Sequence, residues 1–471
     1  MPEREIARLR TDALAIFAAA LRAVDPAPLV SAALSLRGRS VFVDLGHRRV
    51  RVPADSIFLA GAGKAVQGMA AGAARVLPGT PGIFLRPTPD AAAGGPAATV
   101  SAFAEAGRRQ RSRQGAGAFP GEGACEFREE GAHEFLNAEH PVPGRGSFAG
   151  TQRLLARLAA LRPDATVLFL LSGGASALLE APATGLSARQ VQVFTRKMLR
   201  AGAPIDLLNA ARVRLSAVKG GGLARAVAPR RVLTLAISDV PTARDAPQVI
   251  GSGPTLPPLA GEADRDLLGE IEALPGFGRI RGVLRTHLGP HLRSTARERG
   301  AASDFAILAD NRRARRAAAA AARMRGYRTR TLRAPLSGEA RVAAARFVAA
   351  LAALPSHVSC CIQGGETTVS VADARGCGGR NQEFALAVAQ QLSGSGWVLL
   401  AAGTDGVDGP TEAAGGLIDG RTAGRIGKRA LARALADHDS FTALGRAPAG
   451  TRVQTGPTGS NVGDLVVAVR L

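Results

Sequence analysis

Three apolar segments that each run into a turn of small or acidic residues limit what this chain can fold into. The first, residues 56–60, enters Gly61-Ala62-Gly63-Lys64 and then an alanine-rich, helix-like stretch. The other two are residues 166–171, followed by Ser172-Gly173-Gly174, and residues 232–237, followed by Ser238-Asp239. Continuous apolar strands are typical of a parallel sheet covered on both faces, and such sheets bind ligands at the carboxyl ends of their strands. We therefore predict an α/β fold with its ligand site in these turns.

The length of the chain predicts two domains, because 471 residues exceed the roughly 250–300 residues at which one hydrophobic core stops growing. The proline-rich run at residues 254–258 makes the best boundary, giving domains at residues 1–257 and 258–471. Periodicity predicts one or two amphipathic helices over residues 3–37 and a mobile, irregular surface segment at about residues 88–131. Further strands are predicted at residues 358–362, 367–371, 398–402 and 465–469.

Targeting and redox signals favour a soluble, cytoplasmic protein. The sequence shows no apolar run near the roughly 18 residues of a membrane span, and residues 1–10 lack the pattern of a signal peptide. The four cysteines form no C-x-x-C pair, so we interpret them as reduced thiols and expect no structural zinc.

The formal net charge of +22 suggests nucleic acid as a partner, but its distribution argues against that class. The arginines are spread along the chain, and only one Trp and one Tyr could stack on bases. We expect small-molecule partners, no nucleic acid and no membrane, and the sequence leaves a homo-oligomer open. A basic nucleic-acid-binding protein stays as the non-enzymatic alternative, and it would retain DNA or RNA in a salt-dependent manner.

Lysine is rare in a chain that otherwise uses arginine for its cations. The four lysines are Lys64, Lys197, Lys219 and Lys428, and two of them stand in glycine-rich segments. A compact ammonium fits against a phosphate where a planar guanidinium does not. The turns at Lys64 and at Lys219-Gly220-Gly221-Gly222 also offer backbone N–H groups at the start of a helix, which is a common way to bind an anion.

Neither turn matches a standard nucleotide motif. The spacing of the Walker P-loop is absent, and Val66 occupies the last glycine position of the dinucleotide fingerprint G-x-G-x-x-G. Three carboxylates follow strand-like segments, Asp239, Glu366 and Asp405. Carboxylates at strand ends, beside glycines and cations, are the groups that hold Mg²⁺ and polarise phosphates.

Taken together, these segments resemble the glycerate 2-kinases of the MOFRL-domain class, some of which carry the older label hydroxypyruvate reductase. The shared motifs occur in the family's order and span about residues 55–471, apart from residues 88–131. They are GAGKA (61–65), LSGGASAL (171–178), LSAVKGGGLA (215–224), ISDV (237–240), GSGPT (251–255), GGETTV (364–369), GGRNQE (378–383), AGTDG (402–406), GPTEAAG (409–415) and TGPTGSNV (455–462).

The resemblance implies a Rossmann-like amino-terminal domain, a smaller α/β carboxy-terminal domain that contains the MOFRL region at about residues 357–471, and an active cleft between them. It implies transfer of the γ-phosphoryl group of ATP to D-glycerate, giving 2-phosphoglycerate, with ATP and Mg²⁺ or another divalent cation as cofactors. The residues carried over fall into three sets. The catalytic set is Lys64, Asp239, Arg380 and Asp405; the metal set is Asp239, Glu366 and Asp405; the substrate- and phosphate-binding set is Ser172, Gly173, Gly174, Ser176, Lys219, Gly220, Gly221, Gly222 and Asn461.

Two points remain open at this stage. Asp310-Asn311 departs from the Ser-Asn or Asn-Asn pair expected there, so Asn311 is only a candidate ligand. The alternative enzyme class is an NAD(P)H-dependent hydroxypyruvate reductase, which should show a complete dinucleotide fingerprint that the turn at Gly61 lacks.

Overall fold

The computed structural model describes residues 2–88, 127–228, 230–240, 246–258, 265–278, 282, 284–293, 304–370, 376–447 and 450–471. The contacts divide the chain into two compact units. One, which we call the parallel-sheet unit, comprises residues 26–91 and 123–308, and the other, the mixed-sheet unit, contains residues 1–25 and 309–471.

The chain begins with helix α1 (Glu3–Ala23), which belongs to the mixed-sheet unit. The parallel-sheet unit follows and holds ten strands and nine helices within its described residues. Its strands are β1 (Leu34–Arg37), β2 (Ser40–Asp44), β3 (Arg49–Pro53), β4 (Ile57–Ala62), β5 (Gly82–Pro87), β6 (Phe127–Glu130), β7 (His133–Ala138), β8 (Thr166–Ser172), β9 (Arg231–Ile237) and β10 (Asp304–Ala309). Its helices are α2 (Pro26–Ala33), α3 (Val66–Val76), α4 (Arg145–Ala159), α5 (Ala175–Leu178), α6 (Ala188–Arg200), α7 (Ile205–Leu215), α8 (Gly222–Ala226), α9 (Leu267–Glu272) and α10 (Gly289–Arg293).

A seven-stranded sheet in the order β10-β9-β8-β4-β5-β7-β6 forms the centre of this unit. Strands β4, β5, β7, β8 and β9 run parallel, and β6 closes one edge antiparallel to β7. Every residue of β4 and β8 is buried, as continuous apolar strands require. The three strands predicted from the apolar segments are confirmed as β4, β8 and β9. A separate antiparallel sheet, β1-β2-β3, precedes β4.

The mixed-sheet unit continues from residue 309 with the remaining elements. Its helices are α11 (Asn311–Met324), α12 (Ala340–Ala352), α13 (Arg380–Gln391), α14 (Thr422–Ile426), α15 (Lys428–Ala436) and α16 (Ser440–Gly445). Its strands are β11 (Thr329–Thr331), β12 (Cys360–Gly365), β13 (Val398–Gly403), β14 (Gly415–Asp419), β15 (Arg452–Val453) and β16 (Asp464–Val469). They form a sheet in the order β11-β12-β16-β13-β14-β15, in which only the β11–β12 pair of the described strands is parallel.

Helix α1 shows how the first residues of the chain join its last third. Its buried face includes Leu9, Ile16 and Phe17, and the helix packs on α11, β13 and β16. Residues 3–33 are long and apolar enough by composition to cross a membrane, a test that core helices also pass. The buried face of α1 makes it a core helix of this unit.

The division into units differs from the predicted boundary between residues 257 and 258. Strand β10 extends the parallel sheet beside β9, and Leu267, Ile271 and Phe277 pack into one core with Leu208 of α7. Apolar contacts therefore hold residues beyond the proline-rich run within the parallel-sheet unit, whereas α1 leaves it. A composition break marks a turn in the chain and does not by itself mark where contacts end.

The structure differs from several smaller predictions. Residues 3–37 form α1 and α2 but end in strand β1, and residues 367–370 form no strand beyond a single bridge between Glu339 and Thr368. Of the segment predicted to be irregular, residues 89–126 lie outside the described part of the chain, while Phe127–Glu130 form β6. Cys360 and Cys361 are free thiols in β12, and burial raises the pKa of each to about 12. Cys125 lies outside the described residues.

Candidate active site

The turns predicted to bind ligand lie together at the carboxyl edge of the parallel sheet. Ala62 pairs with Leu171, and Ser172 pairs with Ile237, so the ends of β4, β8 and β9 lie level with one another. The turns that follow carry Lys64, Gly173 and Asp239. The sheet register thus brings together side chains that are far apart in sequence, as predicted for strands that run in one direction.

The turn at Lys64 does not offer its backbone to a ligand. The N–H of Gly63 donates to the carbonyl of Leu85 (3.1 Å), the N–H of Lys64 to that of Gly173 (2.8 Å), and the N–H of Ala65 to the Oγ of Ser172 (3.0 Å). Because these donors are used inside the protein, an anion at this turn must be held by side chains. Ser172 is fully buried, and its hydroxyl holds the turn in place through the bond from Ala65.

The exposed Lys64 side chain lies beside Gly174 and His140. A methyl group built on Gly174 would lie 3.2 Å from Cγ of Lys64 and 3.5 Å from Cδ2 of His140. Gly174 has a φ of 85°, which a glycine adopts without strain, and it opens helix α5. Gly173 has no room for a side chain either, because a methyl group there would overlap the carboxylate of Asp239. Four predicted residues, Lys64, Gly173, Gly174 and Asp239, therefore cluster.

Two basic residues that the sequence analysis did not single out lie near this cluster. Desolvation, followed by the positive charges of Lys64 and Arg212, lowers the pKa of His140. His140 itself is exposed to solvent. Arg212, which is 8% exposed, donates to the carbonyl of Pro141 (3.3 Å), and burial lowers its pKa against the pull of Glu180. This end of the unit is therefore rich in positive charge and suited to an anionic ligand.

The glycine-rich turn at Lys219 has a different role from the predicted one. Lys219 is fully buried, and its Nζ pairs with Oε2 of Glu180 at 2.5 Å and donates to the carbonyl of Leu179 at 3.1 Å. The N–H groups of the three glycines donate to protein carbonyls: Gly220 to Ser252, Gly221 to Gly253 and Gly222 to Lys219. The turn is an internal brace, and the prediction that it binds phosphate finds no open donor.

Ser176, the remaining predicted residue of this unit, stands one residue into α5. Its Oγ lies 2.9 Å from the Oγ of Ser252, and either hydroxyl can be the donor. Ser176 is therefore linked to the 251–253 turn.

In the mixed-sheet unit, Arg380 is held by two carboxylates at the start of α13. Its Nε and Nη2 donate to Asp464 at 2.7 and 2.9 Å, and its Nη1 lies 2.8 Å from Oε1 of Glu366. Burial opposes the charge of the guanidinium, but Asp464 and then Glu366 outweigh it and raise the pKa of Arg380. With 30% of its side chain exposed, Arg380 is a fixed cation that can still meet an anion.

A third carboxylate, Asp408, fixes the start of the same helix. Asp408 accepts hydrogen bonds from the backbone N–H groups of Asn381 (3.0 Å) and Gln382 (2.8 Å) and from both side-chain amides. Burial raises the pKa of Asp408 to about 6, although the two backbone N–H groups oppose this shift. The negative charge at a helix amino terminus is favourable and keeps Arg380 in position.

The other predicted residues of this unit lie on neighbouring loops. Asp405, half-buried after β13, accepts the N–H of Val407 at 3.2 Å. Asn461 is buried, and its Oδ1 accepts the N–H of Gly463 at 3.1 Å. Asn311 donates to the carbonyls of Val462 and Asp464, both at 2.9 Å, so it braces the loop that carries Asn461. This contact explains Asn311 as a positioning residue.

The predicted metal ligands do not form a cage. Among the residues that the structure describes, no group of three or more His, Cys, Asp or Glu side chains is placed to hold a metal ion. Glu366 is engaged by Arg380, while Asp239 and Asp405 are half-buried carboxylates in different units. A single carboxylate of this kind can supply one ligand to a cation such as Mg²⁺, which takes its other ligands from phosphates and water.

Sequence reasoning missed Asp464, Asp408, His140 and Arg212. Asp464 stands immediately before the strand predicted at residues 465–469, and Asp408 follows a glycine turn that already contains Asp405. For Arg212 the only signal is its place just before the motif at residues 215–224, and His140 lies beside none of the motifs; the partners of both come from other elements.

Both halves of the chain match known protein families. Residues 12–272 match the family described as "Domain of unknown function (DUF4147)", and residues 359–464 match the MOFRL family. D-glycerate 2-kinase of Thermotoga maritima is 35% identical over 71% of this chain and 80% of its own length. A protein of Agrobacterium vitis that is provisionally named a hydroxypyruvate reductase is 37% identical over 71% of this chain and 87% of its own.

The same relationship holds for a solved structure. The crystal structure of glycerate kinase from Thermotoga maritima superposes with a TM-score of 0.75 at 30% identity, covering 99% of this chain and all of that one. The two matched domains, the motifs in common order and the shared fold lead to one assignment: the chain belongs to the glycerate kinase family that joins a DUF4147 domain to a MOFRL domain.

Proposed function

We propose that this chain transfers the γ-phosphoryl group of ATP to the 2-hydroxyl of D-glycerate. That it is an ATP-dependent glycerate kinase follows from its family, and the choice of the 2-hydroxyl and of the D enantiomer is the finer part of the proposal. The T. maritima relative bears the name D-glycerate 2-kinase, which supports both choices.

The observation that carries the proposal is the use of the N–H groups of Gly63, Lys64 and Ala65 by protein acceptors. A dinucleotide-binding turn aims such groups at the pyrophosphate, so this turn does not favour the reductase alternative. The side chain of Lys64 is exposed to solvent, although the backbone N–H groups of its turn donate within the protein. A lysine in this position can stabilise the negative charge of a phosphoryl group during its transfer.

The reaction joins the 2-oxygen of glycerate to the γ-phosphorus and breaks the bond from that phosphorus to the oxygen of ADP. The hydroxyl proton passes to a carboxylate, for which Asp239 and Asp405 are the candidates because both are half-buried and at turns. We propose Lys64 and Arg380 as the cations that offset negative charge on the phosphoryl group. Gly173 keeps Asp239 close to the backbone, and Asp464 keeps the guanidinium of Arg380 in a fixed plane.

A divalent cation, most simply Mg²⁺, arrives with ATP in this proposal. It neutralises charge on the β- and γ-phosphates when bound, and Asp239 or Asp405 supplies one protein ligand. We also propose that the enzyme works in the cytoplasm, on small molecules alone.

Purified protein tests this function in two parallel assays. One couples ADP release to D-glycerate, with the product identified by phosphorus NMR, and the other follows NADH oxidation with hydroxypyruvate. We expect ADP and 2-phosphoglycerate in the first assay and no turnover in the second. Turnover with NADH alone would reject the kinase, 3-phosphoglycerate would reject the choice of hydroxyl, and full activity after exhaustive chelation would reject the cation.

A further inference from the structure

A small cavity in the parallel-sheet unit lies beside the Ser176 end of the candidate site. It holds about 30 Å³ and is lined by Asn209, Val213, Gly220, Gln248, Val249, Ser252 and Pro258. Such a volume accommodates a group the size of one water molecule. The cavity is linked to the site through Ser252, whose Oγ lies 2.9 Å from that of Ser176.

The cavity wall contains a residue in an uncommon backbone conformation. Ser252 has a φ of 59° and stands between Gly251 at 59° and Gly253 at 61°. Serine rarely adopts this left-handed region, and such residues concentrate at functional sites. The turn is held there by the N–H groups of Gly220 and Gly221, which donate to the carbonyls of Ser252 (3.0 Å) and Gly253 (2.7 Å).

The polar groups of the cavity favour a hydroxyl over an anion. Oε1 of Gln248 is buried and accepts no hydrogen bond from any residue that the structure describes. The Oγ of Ser252 donates to Oδ1 of Asn209 over a long 3.5 Å. A carbonyl oxygen attracts an O–H donor and repels a carboxylate or phosphate, and the N–H of Gly220 is already used.

We propose that this cavity binds the terminal hydroxymethyl group of a short 2-hydroxy acid and so sets the specificity of the enzyme. The ligand's O–H donates to Oε1 of Gln248, and Ser252 holds the wall of the cavity against Ser176. The inference rests on the proposed function, because it assigns a place to the 3-hydroxyl of glycerate. It predicts that an acid with a methyl group in place of the hydroxymethyl group binds less well, since Oε1 of Gln248 is then left without a donor.

The test compares D-glycerate with D-lactate, which differs only in lacking the 3-hydroxyl. Calorimetry gives the dissociation constant of each acid for the full chain, and kinetics give KM for glycerate and the inhibition constant for lactate. In Gln248→Met the side chain keeps its length and loses the oxygen. We expect glycerate binding to weaken by roughly ten- to hundredfold, while lactate binding changes by less than about twofold.

Two further variants keep the test decisive. Ser252→Gly removes the hydroxyl, and a glycine at this positive φ offsets part of the lost hydrogen bond to Ser176, so we expect the variant to fold and to show the same selective loss, to a smaller degree. Gln391→Met makes the same substitution at an exposed glutamine of α13, whose amide donates to Ala387, and should change neither constant. Ser252→Gly alone decides the matter if Gln248→Met does not fold.

Equal weakening of both acids, or unchanged preference for glycerate, would overturn the assignment of the cavity. Binding of glycerate without ATP-dependent turnover would reject the kinase and leave the cavity assignment standing. If the parent binds neither acid, both proposals fail.

Discussion

Lys64 and Lys219 each stand beside glycines at a turn that opens a helix, yet the first side chain is exposed and the second is fully buried. The sequence predicts the same role, phosphate binding, for both turns. In the structure, Lys219 pairs with Glu180, a residue 39 positions earlier in the chain, whereas Lys64 lies beside Gly174 and His140 at the carboxyl edge of the sheet.

The difference shows what decides the use of a lysine at a glycine turn. In both turns the backbone N–H groups donate to protein acceptors, so the local geometry is similarly closed. What differs is the partner that the tertiary fold brings to the ammonium group. A buried carboxylate makes Lys219 a brace, whereas the side chain of Lys64 stays exposed to solvent.

The largest expected effect follows from removing the brace. In Lys219→Met the carboxylate of Glu180 stays buried without its cation, so we expect the free energy of unfolding to fall by about 3–5 kcal/mol, with activity lost only as far as folding is lost. Chemical denaturation measures this. The double variant Lys219→Met/Glu180→Leu should regain much of the loss, because no buried charge remains. A stable Lys219→Met protein with weakened ATP or glycerate binding would restore the phosphate-binding interpretation.

The opposite behaviour is expected for Lys64→Arg. The charge remains, but the compact ammonium is lost, so turnover should fall on the order of 10²–10³-fold, equivalent to about 3–4 kcal/mol. The free energy of unfolding should change by less than about 0.5 kcal/mol, since the side chain is exposed. Steady-state kinetics and a thermal melt measure both quantities.

Lys428→Arg is the matched control for this substitution, at an exposed lysine that begins α15. It should leave turnover and stability unchanged. A Lys64→Arg enzyme whose turnover stays within about threefold of the parent would remove Lys64 from the catalytic set and make the two lysines more alike than we conclude.

The smallest effects are expected for the serines that support the two turns, Ser172 at the Lys64 turn and Ser216 at the Lys219 turn. The Oγ of Ser172 accepts the N–H of Ala65 (3.0 Å), and the Oγ of Ser216 accepts the N–H of Val218 (3.3 Å) next to Lys219. Replacing either buried serine with alanine should cost about 1–3 kcal/mol of stability. Only Ser172→Ala should also lower turnover, because it loosens the turn that carries Lys64. Equal turnover in the two variants would show that the position of the Lys64 turn is unimportant for the reaction.

The sequence predicted well those parts of the fold that depend on residues close together in the chain. The apolar runs of β4, β8 and β9 specify buried parallel strands, and the turns after them were identified with their residues. Strands β1 to β3 were missed because short alternating segments carry a weaker signal. The boundary at residue 257 rested on prolines, and the contacts of β10 and Phe277 lie beyond it.

By itself, the sequence determined the α/β class and the family and named the turns that carry the candidate residues, because strand periodicity, turn chemistry and ordered motifs depend on residues close together in the chain. Only the tertiary structure decided that Asp464 anchors Arg380, that Glu180 occupies Lys219, and that α1 belongs with the last third of the chain. Each of these depends on which distant groups meet once strands and helices pack. Burial and charge pairing, which decide whether a side chain braces the fold or meets a substrate, arise only from that packing.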